Sequence, residues 1–254
     1  MKIAIITGTS RGLGLSITRL LLQSGIHVIG MSREGNDQLT KVATNHDVTY
    51  THFNCDIGNM DALNTTIKAI DQHVLNPQIT DLFVINNAAT VQPITQAHKM
   101  SSDDLIHHYQ VNVVAPMTLI NHYLQFASNR DITCYGVTVT SGAAERPIYG
   151  WSAYCSSKAS INMYTQTVAL EQASLKTNHK VIAFNPGVMD TDMQRDIREH
   201  DVESFQDVET FRAYKKNNQL RDPDIIGAIL VNILKHEETI ENGRNYNVVD
   251  YLTV

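Results

Sequence analysis

The stretch that decides the fold is IAIITGTSRGLG, at positions 3–14. Its start, Ile3–Ile6, is a short continuous apolar run, which is typical of a parallel strand buried on both faces. Apolar residues then recur at helical spacing from Leu13 to Leu21, and Gly25 ends that helix. Glycines between a strand and a helix allow close approach to a ligand, and the helix N-terminus offers free N–H groups to a pyrophosphate. The stretch predicts a nucleotide-binding turn, although plain strand–helix turns also contain glycine.

The alternation of strand and helix continues along the whole chain. Apolar runs predict further strands at Val28–Met31, Val48–Phe53, Leu82–Ile85, Val137–Thr140, Val181–Phe184 and Tyr246–Val249. Helical periodicity predicts helices around residues 63–74, 102–124, 153–174 and 222–233, the second of them bent at Pro116. This order implies a mostly parallel sheet with helices on both faces. The predicted fold class is therefore α/β, a single Rossmann-type, doubly wound domain over residues 1–254.

One segment departs from the alternation. Residues 190–221 are polar, dense in charge and only weakly periodic. We interpret the segment as a helical excursion that forms a substrate flap over a site. A solvated surface flap is the alternative interpretation.

Composition excludes several classes of protein. The chain has 254 residues, of which 43% are hydrophobic and 18% charged, so it is too apolar for a disordered protein. A net charge of −6 argues against nucleic-acid binding, which needs a basic face. No stretch approaches the roughly 18 apolar residues of a membrane span, and the first apolar run is too short for a signal peptide. We therefore expect a cytoplasmic protein with no nucleic-acid or membrane partner. The three cysteines show no metal-ligand spacing, so we expect no metal site.

The end of the second strand indicates which dinucleotide would bind. An acidic residue there would hold a ribose 2′-hydroxyl, but the chain reads GMSR at positions 30–33. Arg33 and Arg11, inside the glycine turn, carry guanidinium groups that favour a 2′-phosphate. The pattern predicts NADPH/NADP, with two ordinary surface arginines as the alternative.

A candidate acid/base pair lies on the helix predicted at 153–174. Tyr154 and Lys158 are four residues apart and share a helical face. An ammonium group near a phenol favours the phenolate and lowers its pKa, which makes a usable general acid/base. Ser141 follows the fifth strand, at the sheet edge where such folds bind ligands. A surface hydrogen bond is the alternative interpretation of the pair.

The order and spacing of these motifs make the chain similar to a known protein family. The sequence has TGxxxGxG at positions 7–14, NNAA at 86–89, Asn112, Ser141, YxxxK at 154–158 and Pro186-Gly187. In this combination the chain resembles the short-chain dehydrogenase/reductase family over essentially its whole length. One departure is Ala89, where the family usually has glycine, which is a small change.

The resemblance is strongest to one branch of that family. The segments SGAA at 141–144, GWSAYCSSK at 150–158 and NPGVMDTDMQ at 185–194 resemble the branch of sepiapterin reductases, and within it the bacterial benzil reductases. The segment at 185–194 supports the resemblance to this branch most strongly.

The resemblance implies roles by position. Tyr154 would protonate the carbonyl oxygen, Lys158 would hold the nicotinamide ribose and tune Tyr154, Ser141 would bind the substrate carbonyl, and Asn112 would position a water that reaches Lys158. The cofactor contacts, which include Tyr154 and Lys158, would be completed by Gly8, Ser10, Arg11, Gly12, Leu13, Gly14, Ser32, Arg33, Asp56, Ile57, Asn87, Ala88, Val188 and Thr191.

Residues near this machinery are candidates for the substrate wall. These residues are apolar or aromatic and lie in the sequence close to Ser141, Tyr154 and the Pro-Gly turn. Their surface would suit a flat dicarbonyl ligand. They are Ala143, Tyr149, Trp151, Met189 and Met193. Ordinary core packing is the alternative for each of them.

The predicted function is an NADPH-dependent carbonyl reductase that reduces one carbonyl of a 1,2-dicarbonyl such as benzil. Three alternatives stay open: a sepiapterin reductase, a 3-oxoacyl reductase and a non-catalytic NADP(H)-sensing module. An acidic carrier protein would want basic residues at the site mouth, whereas the 190–221 segment is rich in acids. The resemblance also implies a homodimer or homotetramer, assembled through the helices that hold Asn112 and Tyr154.

Overall fold

In the computed structural model, which describes residues 1–75 and 78–252, a seven-stranded sheet runs through the molecule. The strands are β1 Lys2–Thr7, β2 His27–Ser32, β3 Tyr50–Asn54, β4 Asp81–Asn86, β5 Thr133–Val139, β6 Lys180–Asn185 and β7 Asn245–Asn247. Their order is β3-β2-β1-β4-β5-β6-β7, and every neighbouring pair is parallel. The predicted α/β class is confirmed. The strand order reverses between β1 and β4, so the switch point where such sheets bind ligands lies beside the glycine turn.

Helices cover both faces of the sheet. They are α1 Gly12–Gln23, α2 Asp37–Asn45, α3 Met60–His73, α4 Ser102–Tyr109, α5 Ala115–Ser128, α6 Ser152–Ser174, α7 Asp192–Glu199, α8 Val208–Lys216 and α9 Pro223–Lys235. One apolar cluster joins the sheet to α3, α5 and α6, and a second joins its other face to α1, α2 and α9. The strands are buried on both faces, which explains their continuous apolar runs.

Two elements differ from the sequence prediction near β3. Helix α2 was not predicted, because only Leu39 and Ala43 are buried in it and the periodic signal is therefore weak. Its start is fixed instead by Asn36, whose side chain caps the helix by accepting a bond from Gln38 N at 3.1 Å. The strand predicted from Val48 begins at Tyr50.

The long helix predicted over 102–124 is two helices. A π-helical turn, Gln110–Val114, separates α4 from α5. Pro116 lies in the first turn of α5 and has no N–H to donate to the carbonyl of Asn112, four residues earlier. The helix therefore widens just before the proline, and Asn112 lies in the widened turn.

The last strand is shorter than predicted. The prediction was Tyr246–Val249, but β7 ends at Asn247. The Asn247 side chain accepts a hydrogen bond from Val249 N at 3.2 Å and starts a 3₁₀ turn over Val248–Tyr251. Local side-chain bonding thus ends the strand that apolar residues alone would extend.

The 190–221 segment contains α7 and α8. Its two ends are joined by a parallel bridge between Met189 and Arg221, in which Asp190 N donates to Arg221 O at 2.9 Å. Within the segment, Phe205 and Val208 are fully buried in a third apolar cluster. Within residues 1–75 and 78–252, no helix has the length and apolar character needed to cross a membrane.

Candidate active site

A cavity of about 1220 Å³ opens at the carboxyl ends of the parallel strands. It is lined by Gly8 after β1, Ser32 at the end of β2, Asn87 after β4, Ser141 after β5 and Asn185 at the end of β6. Each predicted site segment thus reaches the same edge of the sheet. The place is the one at which open α/β sheets bind their ligands.

The glycine turn fits a dinucleotide. A Cβ placed at Gly14 would overlap the Gly8 carbonyl oxygen and the Asn87 amide, so only glycine allows the turn to close. Gly8 has φ +77° and Gly12 has φ +56°, the left-handed region that favours glycine. Gly12 and Leu13, the first residues of α1, line the cavity. A pyrophosphate would meet unpaired backbone donors there.

Asn87 braces this turn from the end of β4. Its Nδ2 donates to Thr7 O at 3.1 Å and to Gly8 O at 3.2 Å. The backbone N–H groups of Asn87 and Ala88 both donate to Thr7 Oγ1 at 3.0 Å. The turn is therefore held in shape by hydrogen bonds among residues of β1 and β4, without any ligand.

At the β2 end of the cavity the two predicted arginines are in different situations. Arg33 lines the cavity with an exposed side chain, and the structure gives it no ion pair among the described residues. Arg11 Nη1 instead donates to Asp192 Oδ2 of α7 at 2.9 Å. Ser32 is buried and donates to Glu34 O at 2.7 Å. Glu34, which the sequence reasoning missed, also lines the cavity, so a carboxylate stands beside Arg33.

The remaining predicted cofactor residues are placed around the same cavity. Asp56 accepts a bond from Gly58 N at 2.9 Å, and Thr191 caps α7. The structure brings the following further residues to the lining: Ser10, Arg11, Gly12, Leu13, Ile57, Ala88 and Val188. Gly14 packs behind the lining, against Gly8.

Tyr154, Ser141 and Lys158 meet on the opposite wall. Tyr154 and Lys158 are buried on α6, and the Lys158 Nζ lies 5.7 Å from the centre of the Tyr154 ring. Nζ donates to Val139 O at 2.9 Å, which ties the lysine to the end of β5. Ser141 follows β5, and its side chain lies near enough to Tyr154 to lower the pKa of that phenol. The structure therefore brings three of the four predicted catalytic side chains together.

Burial sets the ionisation of this pair. It raises the pKa of Tyr154 to about 12, and the nearby Ser141 side chain opposes the rise. Burial lowers the pKa of Lys158 to about 8. The sequence predicted that Lys158 would lower the pKa of Tyr154, but in this structure burial raises it, and the opposing contribution comes from Ser141. At neutral pH the tyrosine is a neutral O–H donor beside a charged lysine, which is the form needed to give a proton.

Asn112 lies behind this pair. Its Oδ1 accepts from Thr90 N at 2.9 Å and its Nδ2 donates to Thr90 O at 2.7 Å, which joins the π-helical turn to the loop after β4. The same Nδ2 is 2.9 Å from Nε2 of His108. Sequence reasoning missed His108; its spacing of four residues before Asn112, on one helical face, was the available signal.

The predicted substrate wall is mostly assembled. Trp151 is buried, and its ring meets the Tyr154 ring edge-to-face with centroids 5.0 Å apart. Its indole N–H has no acceptor in the described part of the chain. The cavity lining includes three other predicted wall residues, Ala143, Met189 and Met193. Tyr149 is not brought there: it is exposed, and its hydroxyl accepts a bond from Gln96 Nε2 at 3.0 Å.

Comparison with known proteins agrees with this geometry. The model of the short chain dehydrogenase family matches residues 2–202. The chain belongs to the short-chain dehydrogenase/reductase family. It is 36% identical to a benzil reductase ((S)-benzoin forming) of Bacillus subtilis (strain 168), over 99% of this chain and 100% of that one. It is 35% identical to a protein of the same name from Bacillus cereus, over 94% and 96% of the two chains.

A solved structure shares the fold as well. The crystal structure of the KRED1-Pglu enzyme is 26% identical, with a TM-score of 0.81 over 96% of this chain and 100% of that one. This short-chain dehydrogenase/reductase is an oxidoreductase of a family that uses nicotinamide cofactors, and its relatives support a carbonyl reductase. The glycine turn, where added Cβ atoms would collide, fits such a cofactor.

Proposed function

We propose that this short-chain dehydrogenase/reductase is an NADPH-dependent carbonyl reductase that reduces one carbonyl of a 1,2-dicarbonyl such as benzil to the hydroxyketone. The observation that carries the proposal is that Tyr154, Lys158 and Ser141 line one cavity, with the Trp151 ring packed against Tyr154. The names of the two Bacillus relatives support the substrate class.

The chain's own residues would supply orientation and a proton. Bound cofactor supplies the hydride. Ser141 would hold the substrate carbonyl oxygen near the Tyr154 hydroxyl, which gives its proton to that oxygen. Lys158, fixed by Val139 O, would keep a positive charge beside the tyrosine as the proton leaves. The buried setting strengthens these electrostatic effects.

The choice of NADPH rests on the charge at the end of β2. Arg33 is exposed and lines the cavity, so its guanidinium is available to a 2′-phosphate. Arg33→Ala should weaken NADPH by roughly 1.5–3 kcal/mol and leave NADH unchanged. Glu34→Gln, the adjacent substitution that removes a negative charge, should strengthen NADPH binding. Equal catalytic efficiency of the wild type with both cofactors would contradict the choice.

The proposed substrate class has a chemical logic. A neighbouring carbonyl withdraws electrons and makes the first reduction easier than the second. The hydroxyketone lacks that activation, so the reaction stops after one step. The wall of Trp151, Ala143, Met189 and Met193 offers apolar and aromatic surface to a flat diketone. The Trp151 N–H is enclosed and has no acceptor among the described residues, and a bound substrate that reached it would receive a hydrogen bond at its second oxygen.

The test is steady-state NADPH oxidation with benzil, sepiapterin and an unactivated monoketone, followed by product analysis. We expect benzil to be converted to the hydroxyketone with the highest kcat/KM. If the monoketone were best, or if benzil gave no hydroxyketone, the substrate class would be wrong. If sepiapterin were the best substrate, the chain would be a sepiapterin reductase. If no carbonyl compound were reduced, the result would favour a non-catalytic NADP(H)-sensing module.

We further propose that residues 1–254 act as one reductase domain in the cytoplasm, with 190–221 as the substrate flap. We also propose a homo-oligomer formed through α4, α5 and α6. Large apolar side chains are exposed on α4 and α6, at Ile106, Met163 and Leu170. Light scattering should give a dimer or tetramer, and Leu170→Glu should shift it towards monomer; a monomeric wild type would contradict the assembly.

A further inference from the structure

An imidazole that has no part in the proposed proton transfer is buried beside the candidate catalytic pair. His108, in the last turn of α4, is completely buried. Its ring lies edge-to-face to the Tyr154 ring, with centroids 6.2 Å apart. Uncharged polar side chains are costly to bury unless they are hydrogen-bonded, so the partners of this ring indicate what it does.

The His108 ring joins three elements of the site. Nδ1 lies 2.7 Å from Gln92 O, in the loop after β4. Nε2 lies 2.9 Å from Asn112 Nδ2 and 3.1 Å from Ser157 Oγ. Ser157 is the residue before Lys158 on α6. Thr90, Val91 and Gln92 of that loop all line the cavity. One side chain therefore links a cavity wall, the π-helical turn and the catalytic helix.

The partners assign the proton on this ring. A carbonyl oxygen only accepts, so Nδ1 carries the hydrogen and donates it to Gln92. In the neutral ring Nε2 is then an acceptor, and the Asn112 amide donates to it. The amide uses its other hydrogen for Thr90 O at 2.7 Å. The neutral His108 ring is the nearest acceptor for this second N–H, because the other one in reach, Ser157 Oγ, lies 3.4 Å away.

Protonation of His108 would break this arrangement. An imidazolium donates at both nitrogens, so the Asn112 amide would face a second donor at 2.9 Å and keep only the distant Ser157 Oγ, at 3.4 Å, as acceptor. The ionisable groups that face the ring are Tyr154 and Lys158 from α6, and Tyr109 and His107 from α4. The loop after β4 offers the uncharged Gln92. Burial is the main cause that lowers the pKa of His108, and the positive Lys158 lowers it further.

We infer that His108 is a positioning residue: as a neutral acceptor it fixes the Asn112 amide and the 90–92 wall against α6, and thereby holds Tyr154 and Lys158 in place for carbonyl reduction. The inference rests on the proposed function for its kinetic consequence. Acid that protonates His108 releases Asn112 and lowers turnover, although Tyr154 itself stays protonated.

Two variants separate positioning from folding. His108→Leu removes the acceptor and fills the space, and His108→Gln keeps an amide that donates and accepts but does not titrate. His98→Gln, on an exposed histidine, is the matched control. We expect His108→Leu to lower kcat by about 5- to 100-fold with the Kd of NADPH within twofold, because a buried donor loses its nearest acceptor. His108→Gln should recover most of the kcat.

The pH profile gives the decisive readout. The kcat of the wild type and of His98→Gln should fall as pH drops below 6.5, through the lowered pKa of His108, whereas His108→Gln should stay level. The inference would be overturned if the kcat of His108→Gln fell at low pH as it does in the wild type. It would also be overturned if His108→Leu kept the kcat of the wild type. If His108→Leu fails to fold, the His108→Gln profile decides alone.

A measurement without substrate keeps this inference distinct from the proposed function. ¹⁵N NMR of the histidine rings in the wild type should show His108 neutral at pH 7 with its proton on Nδ1. In Asn112→Ala the loss of the amide donor should shift the Nε2 resonance. A proton on Nε2, or a charged ring at pH 7, would overturn the inference whether or not any carbonyl is reduced.

Discussion

Backbone atoms shape the cavity at the glycine turn, whereas aromatic side chains shape it beneath the 190–221 segment. At the turn, Gly14 packs directly on Gly8, and Asn87 braces both carbonyls of Thr7 and Gly8. Beneath the segment, Trp151 stacks on Phe205 with centroids 4.8 Å apart. The first region is shaped by backbone that admits no side chain at Gly14, whereas the second is shaped by side chains whose substitution changes the wall.

The two regions also differ in the contacts that hold them to the rest of the chain, which are side-chain ion pairs for one and backbone hydrogen bonds for the other. The 190–221 segment is fastened to the rest of the chain by partly exposed ion pairs, including Lys99–Glu203 at 2.8 Å and Arg146–Asp207 at 3.8 Å. Such exposed pairs contribute little to stability, because water and salt screen the two charges. The glycine turn is fastened by backbone hydrogen bonds between β1 and β2, such as Gly8 N to Met31 O at 2.7 Å. We expect substitutions at the turn to act on cofactor binding and those under the segment to act on the substrate.

The largest effect should come from Tyr154→Phe, at the boundary of the two regions. Removing the proposed proton donor should lower kcat by about 10²- to 10⁴-fold, while the Kd of NADPH stays within about twofold. Steady-state kinetics and fluorescence titration of NADPH measure the two values. Turnover like that of the wild type would end the proposed mechanism.

Gly14→Ala should damage the turn. The added methyl group would meet the Gly8 carbonyl and the Asn87 amide, so the turn must open, at a cost of about 1–3 kcal/mol. Thermal unfolding and NADPH titration should both show the loss. Gly35→Ala is the matched control, because its methyl group would meet nothing nearer than 3.4 Å. Equal behaviour of the two variants would mean that the turn is not as tightly built as the structure indicates.

Raising the pH should slow reduction without weakening the turn. The pKa of Lys158 is lowered to about 8 by burial, so the charged form dominates below that pH and is lost above it. We expect kcat to fall towards tenfold per pH unit above about 8, with the fold intact by circular dichroism. A level profile up to pH 9.5 would contradict a role for the Lys158 charge.

Trp151→Phe should give the smallest effect and confine it to the substrate. Phenylalanine keeps a ring beside Tyr154 but removes the unpaired N–H. One neutral hydrogen bond is worth about 0.5–1.5 kcal/mol, so kcat/KM for benzil should fall about 2- to 10-fold. The unactivated monoketone is the internal control and should be unaffected. An equal loss for both substrates would mean that Trp151 acts by packing alone.

The sequence by itself determined the sheet, the glycine turn and the Tyr154–Lys158 pair, because each rests on local signals. Buried strands read as apolar runs, a tight turn requires glycine, and residues four apart share a helical face. The order of these motifs also indicated the family. Helix α2, with two buried residues, and the end of β7, set by the Asn247 side chain, gave signals too weak or too local to be read correctly.

Tertiary structure decided what depends on partners distant in sequence. The direction of the Tyr154 pKa shift follows from burial, which no spacing reveals. Tyr149 lies outside the cavity and is hydrogen-bonded to Gln96. Arg11 is hydrogen-bonded to Asp192, 181 residues further along the chain. His108 gains its position from Gln92 and Ser157, on two other elements. Hydrogen bonding and hydration depend on which groups the fold brings within about 3 Å, and that is settled only when the chain has packed.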